Sequence, residues 1–135
     1  MALGLLALAL GCPGAPKGPA LAIHGAFAYA PVTRDEAAAY FTAVNRGPAA
    51  DTLVAVSSPL AQMAMLHRET DGGMTALARA AVPAGDSLVL RVGGTHVMLM
   101  GLTRLFRPGD TVSLTLTFAH AGPMVVAAPV KAYGQ

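Results

Sequence analysis

The sequence predicts an all-β domain, either a sandwich or a barrel. Turn-forming Gly, Pro, Asn and Asp residues interrupt the chain at intervals of roughly 8–12 residues, which is typical of such folds. The segment Thr111–Phe118 alternates polar and apolar residues, and this period of two indicates a strand with one solvent-facing side. The chain has 135 residues, of which 54% are hydrophobic, so it contains ample material for the core of one domain.

Nine strand segments are predicted, and each of them ends at a turn signal. They are Leu21–Ala30, Ala37–Val44, Thr52–Ser57, Gln62–Glu69, Met74–Val82, Ser87–Val92, His96–Leu102, Thr111–Ala119 and Met124–Tyr133. One stretch allows another interpretation. The alanine-rich residues 35–40 could begin as a helical turn, because Asp35 and Glu36 carry the charge that favours the first turn of a helix.

The N-terminus predicts export from the cytoplasm. Residues 1–12 form an apolar segment that is much shorter than the roughly 20 residues needed to span a bilayer. Cys12 is the only cysteine and follows Leu10–Gly11, which favours lipoprotein processing and a membrane tether; an ordinary secretory signal is the alternative. Residues 13–20 are rich in Pro and Gly and are expected to form a linker that holds a domain at residues 21–135 away from the membrane.

Composition argues against several classes of function. The net charge is +2, the charges are scattered and only 5% of residues are aromatic, so nothing supports nucleic-acid binding. No arrangement of Ser, His and acidic residues suggests catalysis, and we expect a protein that is not an enzyme. A blue-copper centre needs a cysteine thiolate, and Cys12 lies in the leader.

The residues with the clearest chemical signal are methionines and histidines. Twenty-one residues separate Met74 from His96, and His96–Val97–Met98 is a His-x-Met triplet. His67 ends a segment that also contains Met63 and Met65. Thioether and imidazole groups without a thiolate form a soft ligand set, which selects Cu(I) over harder cations.

The turn at Asp71–Gly72 predicts how these residues meet. A two-residue hairpin there pairs Glu69 with Met74, which places Met74 on the same face as His67 and diagonal to it. His96 and Met98 share a face of their own strand because they are two residues apart. The same register would pair Met63 with Ala80, far from Met74, so Met63 and Met65 are interpreted as flexible core fillers.

Several segments resemble the periplasmic PCuAC-type copper chaperones. The resemblance covers about residues 22–130 and is most specific in the segment Gly93–Leu102, which contains the His-x-Met triplet. The family motif is a His, or a His-Met pair, followed by ten residues, Met, twenty-one residues and His-x-Met. Met74, His96 and Met98 match it, whereas six residues separate His67 from Met74 and ten separate Met63 from Met74. Met63 or Met65 therefore remains an alternative first ligand.

The resemblance implies a cupredoxin-like Greek-key β-barrel that carries one Cu(I). It implies a site formed by His67, Met74, His96 and Met98, and delivery to the dinuclear copper centre of cytochrome c oxidase subunit II or to a thiol copper-transfer protein. A monomer in the periplasm is expected. Copper storage or resistance through the same site is the nearest alternative.

Overall fold

The structure, a computed structural model, describes residues 17–135. The predicted export signal with Cys12, and residues 13–16 of the predicted linker, lie outside the described residues. The described part of the chain contains ten strands: β1 Leu21–Tyr29, β2 Glu36–Asn45, β3 Asp51–Ser57, β4 Ala61–Thr70, β5 Gly73–Leu77, β6 Ala80–Val82, β7 Ser87–Val89, β8 Thr95–Leu102, β9 Thr111–Phe118 and β10 Gly122–Lys131.

The predicted all-β class is confirmed. The strands follow the order β5-β4-β8-β2-β1-β10-β9-β3-β6, and β7 pairs with β2. Neighbours are antiparallel except β1 and β10, which run parallel where Ala28 and Tyr29 meet Val130 and Lys131. Among residues 17–135, no helix has the length and apolar character to cross a membrane.

One apolar core holds the two halves of the sheet together. Phe41 of β2, Leu99 of β8 and Phe118 of β9 are almost completely buried in the same cluster. Because β2 and β8 lie in one half of the strand order and β9 in the other, the sheet folds over on itself around this cluster. The result is the sandwich that the turn spacing predicts.

The predicted strand Ala37–Val44 is confirmed as β2, and the alternative helical turn is excluded, because β1 and β8 pair with residues 36–40 on both sides and bury Ala37 and Ala39. Such tertiary pairing overrides the helix propensity of alanine. The predicted single strand Met74–Val82 is divided: β5 pairs with β4, whereas β6 turns to pair with β3.

Asp51 fixes the turn between β9 and β10 to the start of β3. Its buried carboxylate accepts hydrogen bonds from the backbone N–H groups of Thr52 at 2.7 Å, His120 at 2.9 Å and Ala121 at 2.9 Å. Burial alone would raise the pKa of Asp51, but the three N–H donors together hold it below its usual value.

Replacing this carboxylate should destabilise the fold in a pH-dependent way. We expect Asp51→Asn to lower the free energy of unfolding by about 2–3 kcal/mol at neutral pH, because the amide NH₂ group cannot accept a hydrogen bond. A pKa lowered by folding stabilises the protein above the unfolded-state pKa, and this contribution disappears as the pH falls through the folded-state pKa. Urea unfolding should therefore show a difference that shrinks below about pH 4; a difference independent of pH would contradict this role.

Candidate metal centre

The centre begins with a histidine pair on strands β4 and β8. His67 lies directly opposite His96 in the antiparallel register. Their ring centroids are 5.8 Å apart and the rings meet edge to face at 74°. Twenty-eight residues of chain lie between the two histidines, so only the pairing of β4 with β8 brings them into contact.

Each ring has a buried nitrogen without a hydrogen-bond partner. Within residues 17–135, Nδ1 of His67 and Nε2 of His96 are the buried side-chain nitrogen or oxygen atoms that lack one. The other ring nitrogen of His96, Nδ1, lies 3.4 Å from the carbonyl oxygen of Gly94, a long contact that favours a proton on Nδ1. Nε2 then carries a lone pair. Buried polar atoms are normally paired, so these two imidazole nitrogens are candidate metal donors.

Strand β8 positions its two candidate ligands through simple alternation. Val97 and Leu99 point into the core and are fully buried. His96 and Met98 therefore occupy the opposite face of the sheet. They are nevertheless only 3% and 5% exposed, because β2 and β4 flank the strand on both sides.

Met74 reaches the same face from the hairpin between β4 and β5. The predicted register is confirmed: Thr70 pairs with Gly73, and Glu69 pairs with Met74. Met74 thus lies diagonal to His67 on its face. Its side chain is 56% exposed, so it lies at the solvent-facing edge of the centre.

A cavity of about 510 Å³ opens over these residues. Met74, His96 and Met98 line it together. Ala38 of β2 lies directly opposite Met98, and its small side chain leaves room beside the thioether. His67 is not among the lining residues; it is placed beside the cavity through its contact with His96.

The electrostatics of the cavity favour a cation. Glu36 and Glu69 both line it. Tyr40 also lines it, with its ring centroid 6.2 Å from that of His96. Burial, followed by the neighbouring Tyr29 and the charge of Glu69, raises the pKa of Tyr40, so its phenol stays neutral. A monovalent cation would therefore meet two carboxylates and no competing cationic side chain among the lining residues.

The structure corrects the placement of Met63 and Met65. Met63 does not pair with Ala80, which instead pairs with Leu53 of β3. Met63 lies opposite Met100, and Met65 lies opposite Met98. The division of β5 from β6 removes the partner that a continuous hairpin would have supplied.

Sequence reasoning missed several residues of the centre. Tyr40, Ala38 and Glu69 were not assigned to it from the sequence. Glu69 could have been assigned, because the predicted hairpin pairs it with Met74 and so places both residues on the same face. Met65 shares the face of His67 by the same parity. Its position beside Met98 depends on the long-range pairing of β4 with β8, for which the sequence carries no local signal.

The remaining histidines lie elsewhere. His24 is on β1 opposite Thr42, and the backbone of His120 binds Asp51. Among the described residues, no group of three or more His, Cys, Asp or Glu side chains is arranged to hold a metal.

Solved structures share this fold. A copper-bound PCuAC domain from PmoF2 matches with a TM-score of 0.74 and 23% identity, over 88% of this chain and 96% of that domain. The Cu(I) form of DR1885 from Deinococcus radiodurans matches with a TM-score of 0.65 and 34% identity, over 96% of this chain and 85% of that protein. The expected cupredoxin-like fold is confirmed, and the fold and these matches define a domain of the PCuAC type.

The family follows from the sequence comparisons. Residues 21–130 match the family described as "Putative lipoprotein LpqE-like", and the chain belongs to this family. A curated relative, "Putative lipoprotein Lxx21020" from Leifsonia xyli subsp. xyli (strain CTCB07), is 35% identical over 99 residues. That match covers 70% of this chain and 60% of the relative, so the chain spans less than two thirds of the relative's length.

Proposed function

We propose that this protein is an extracytoplasmic Cu(I) carrier that binds one ion through His67, Met74, His96 and Met98. The observation that carries the proposal is the pair of buried, unpartnered nitrogens on His67 and His96. His96 lines the same cavity as Met74 and Met98, and the ring of His67 lies against that of His96. Two imidazoles and two thioethers form a ligand set suited to Cu(I).

The ligand types suit transport outside the cytoplasm. Thiolates pair into disulfides in oxidising compartments, whereas thioethers cannot, although they can oxidise to sulfoxides. Methionine binds without releasing a proton, so only the histidines couple copper affinity to pH. Four neutral ligands do not compensate the positive charge of the ion. The carboxylates of Glu36 and Glu69 in the cavity wall would balance this charge.

The exposure of the ligands supports release by ligand exchange. His96 and Met98 are buried, whereas Met74 is 56% exposed. Met74 would be the first ligand that an incoming donor can displace. A partner with thiolate ligands would then withdraw the ion in steps. We propose the dinuclear copper centre of cytochrome c oxidase subunit II, or a thiol copper-transfer protein, as this acceptor.

The comparisons support the same interpretation. DR1885, at 34% identity, was solved with Cu(I). The lipoprotein description of the family supports an extracytoplasmic location with a membrane tether, for which Cys12 is the candidate.

A copper partition experiment tests delivery. The Cu(I)-loaded protein is mixed anaerobically with a reduced two-cysteine acceptor, and the two proteins are then separated for metal analysis. We expect most of the copper on the acceptor at equilibrium. Copper that stays on this protein would argue against delivery and favour storage.

A deletion strain separates delivery from detoxification. Loss of oxidase activity at low copper, restored by added copper, is the expected result. Copper sensitivity with normal oxidase assembly would instead support a storage or resistance protein with the same site. Complementation with the Met98→Leu variant, which should fail to restore oxidase activity, connects the phenotype to this centre.

A further inference from the structure

The face that carries the histidine pair continues into two methionine pairs. Met65 lies opposite Met98, and Met63 lies opposite Met100, in the same β4–β8 register. Residues two apart on a strand share a face, so both methionine pairs lie on the side of His67 and His96. We call these two pairs the methionine ladder: an inner rung of Met65 and Met98, and an outer rung of Met63 and Met100.

The dimensions of the ladder allow sulfur atoms to meet around an ion. Side chains directly opposite on antiparallel strands have Cβ atoms roughly 4.5–5.5 Å apart. Successive rungs are separated by about 7 Å along the strands. Methionine has three rotatable bonds beyond its Cα, so both thioethers of the outer rung and that of Met65 can approach one point between the rungs.

Met63, Met65 and Met100 do not fill the apolar core. Met124 packs against the core cluster, as a filling methionine does, whereas within the described part of the chain none of these three methionines belongs to that cluster or packs against it. Met63 is 55% exposed, Met65 and Met100 are partly buried, and Met98 is 5% exposed. The ladder therefore runs from solvent to the buried centre.

A carboxylate stands at the outer rung. Glu36 of β2 pairs with Met100 and is exposed on the same face. It also lines the cavity that contains Met98 and His96. A cation held by neutral thioethers at the outer rung would lie next to this negative charge, which favours its capture from solution.

We propose that Met63, Met65 and Met100 form a second, weaker Cu(I) site, and that copper passes through it between solvent and the histidine pair. Copper remains Cu(I) throughout: thioethers of the outer rung release the ion as Met98 and the imidazoles bind it, so no electron or proton is transferred. The existence of the second site depends only on the ladder, whereas its role as a relay rests on the proposed function.

An anaerobic Cu(I) titration followed by NMR of methyl-labelled methionine tests the site. The first equivalent should shift the methyl signals of Met74 and Met98 together with the ring signals of His96. The second equivalent should shift those of Met63 and Met100. The Met63→Leu/Met100→Leu variant should bind one equivalent instead of two, because Leu replaces Met at nearly constant volume and the fold is kept. Met124→Leu, the matched control, should still bind two.

Two results would overturn the second site: a double variant that binds as many equivalents as the wild type, or Met63 and Met100 signals that do not respond to copper.

The relay has its own readout, the rate at which the first site loads in stopped-flow measurements. We expect this loading rate to fall about fivefold or more in the double variant, because copper can no longer be captured at the outer rung before it reaches the first site. The affinity of the first site should be unchanged. Loading at the wild-type rate would overturn the relay. A first equivalent that leaves the His96 ring unaffected would instead contradict the proposed function, and is distinguishable from either result.

Discussion

His96→Leu should weaken Cu(I) binding at least about 100-fold while leaving the apo protein as stable as the wild type or more so. The imidazole is 3% exposed and its Nε2 has no partner within residues 17–135. A buried nitrogen of this kind costs about 1–3 kcal/mol, and leucine removes that cost without leaving a large cavity. Competition against a Cu(I) chelator measures the affinity, and urea unfolding measures the stability.

The opposite signs of the two effects make this test specific. A residue needed only for packing would lose stability and affinity together. His24→Leu is the matched control, because His24 lies on β1 away from the centre, and its substitution should leave copper affinity unchanged. Affinity in His96→Leu within threefold of the wild type would show that His96 is not a ligand.

Leu99→Ala should remove about 3 kcal/mol from the free energy of unfolding, a large part of the stability of a domain of this size. Leu99 is fully buried on the core face of β8, so truncation leaves a cavity beneath the strand that carries His96 and Met98. Copper binds only the folded protein, so Cu(I) at about 100 times its dissociation constant should raise the free energy of unfolding of this variant by about 2.7 kcal/mol.

Leu105→Ala provides the control for this prediction. Leu105 is 46% exposed in the loop before β9, and the same truncation there should cost about 0.5 kcal/mol or less. Thermal or urea unfolding with and without Cu(I) measures both variants. A Leu99→Ala protein that unfolds like the wild type, or that copper does not stabilise, would contradict the connection between the core and the centre.

Local patterns in the sequence were sufficient for the fold class and for part of the centre. The alternation of Thr111–Phe118 and the regular turn signals predicted the all-β fold, because these features depend on a few neighbouring residues. The Asp71–Gly72 turn predicted the pairing of Glu69 with Met74 for the same reason. The assignment of His67, Met74, His96 and Met98 as ligands stays a prediction.

Long-range pairing could not be predicted from the sequence. The position of His67 opposite His96 depends on which strands become neighbours, and no local pattern specifies that β4 pairs with β8. The same pairing converts Met63 and Met65 from apparent core residues into members of the ladder. Residues 36–40 left a helical turn open for a related reason: their alanines favour a helix in isolation, and the two flanking strands make them a strand.

X-ray absorption at the copper edge of the one-to-one Cu(I) complex tests whether imidazoles and thioethers together hold the ion. We expect a mixed shell of two nitrogen and two sulfur ligands, and the loss of one sulfur in each of Met74→Leu and Met98→Leu. A shell without sulfur, or a spectrum that neither variant changes, would contradict Cu(I) binding by Met74 and Met98.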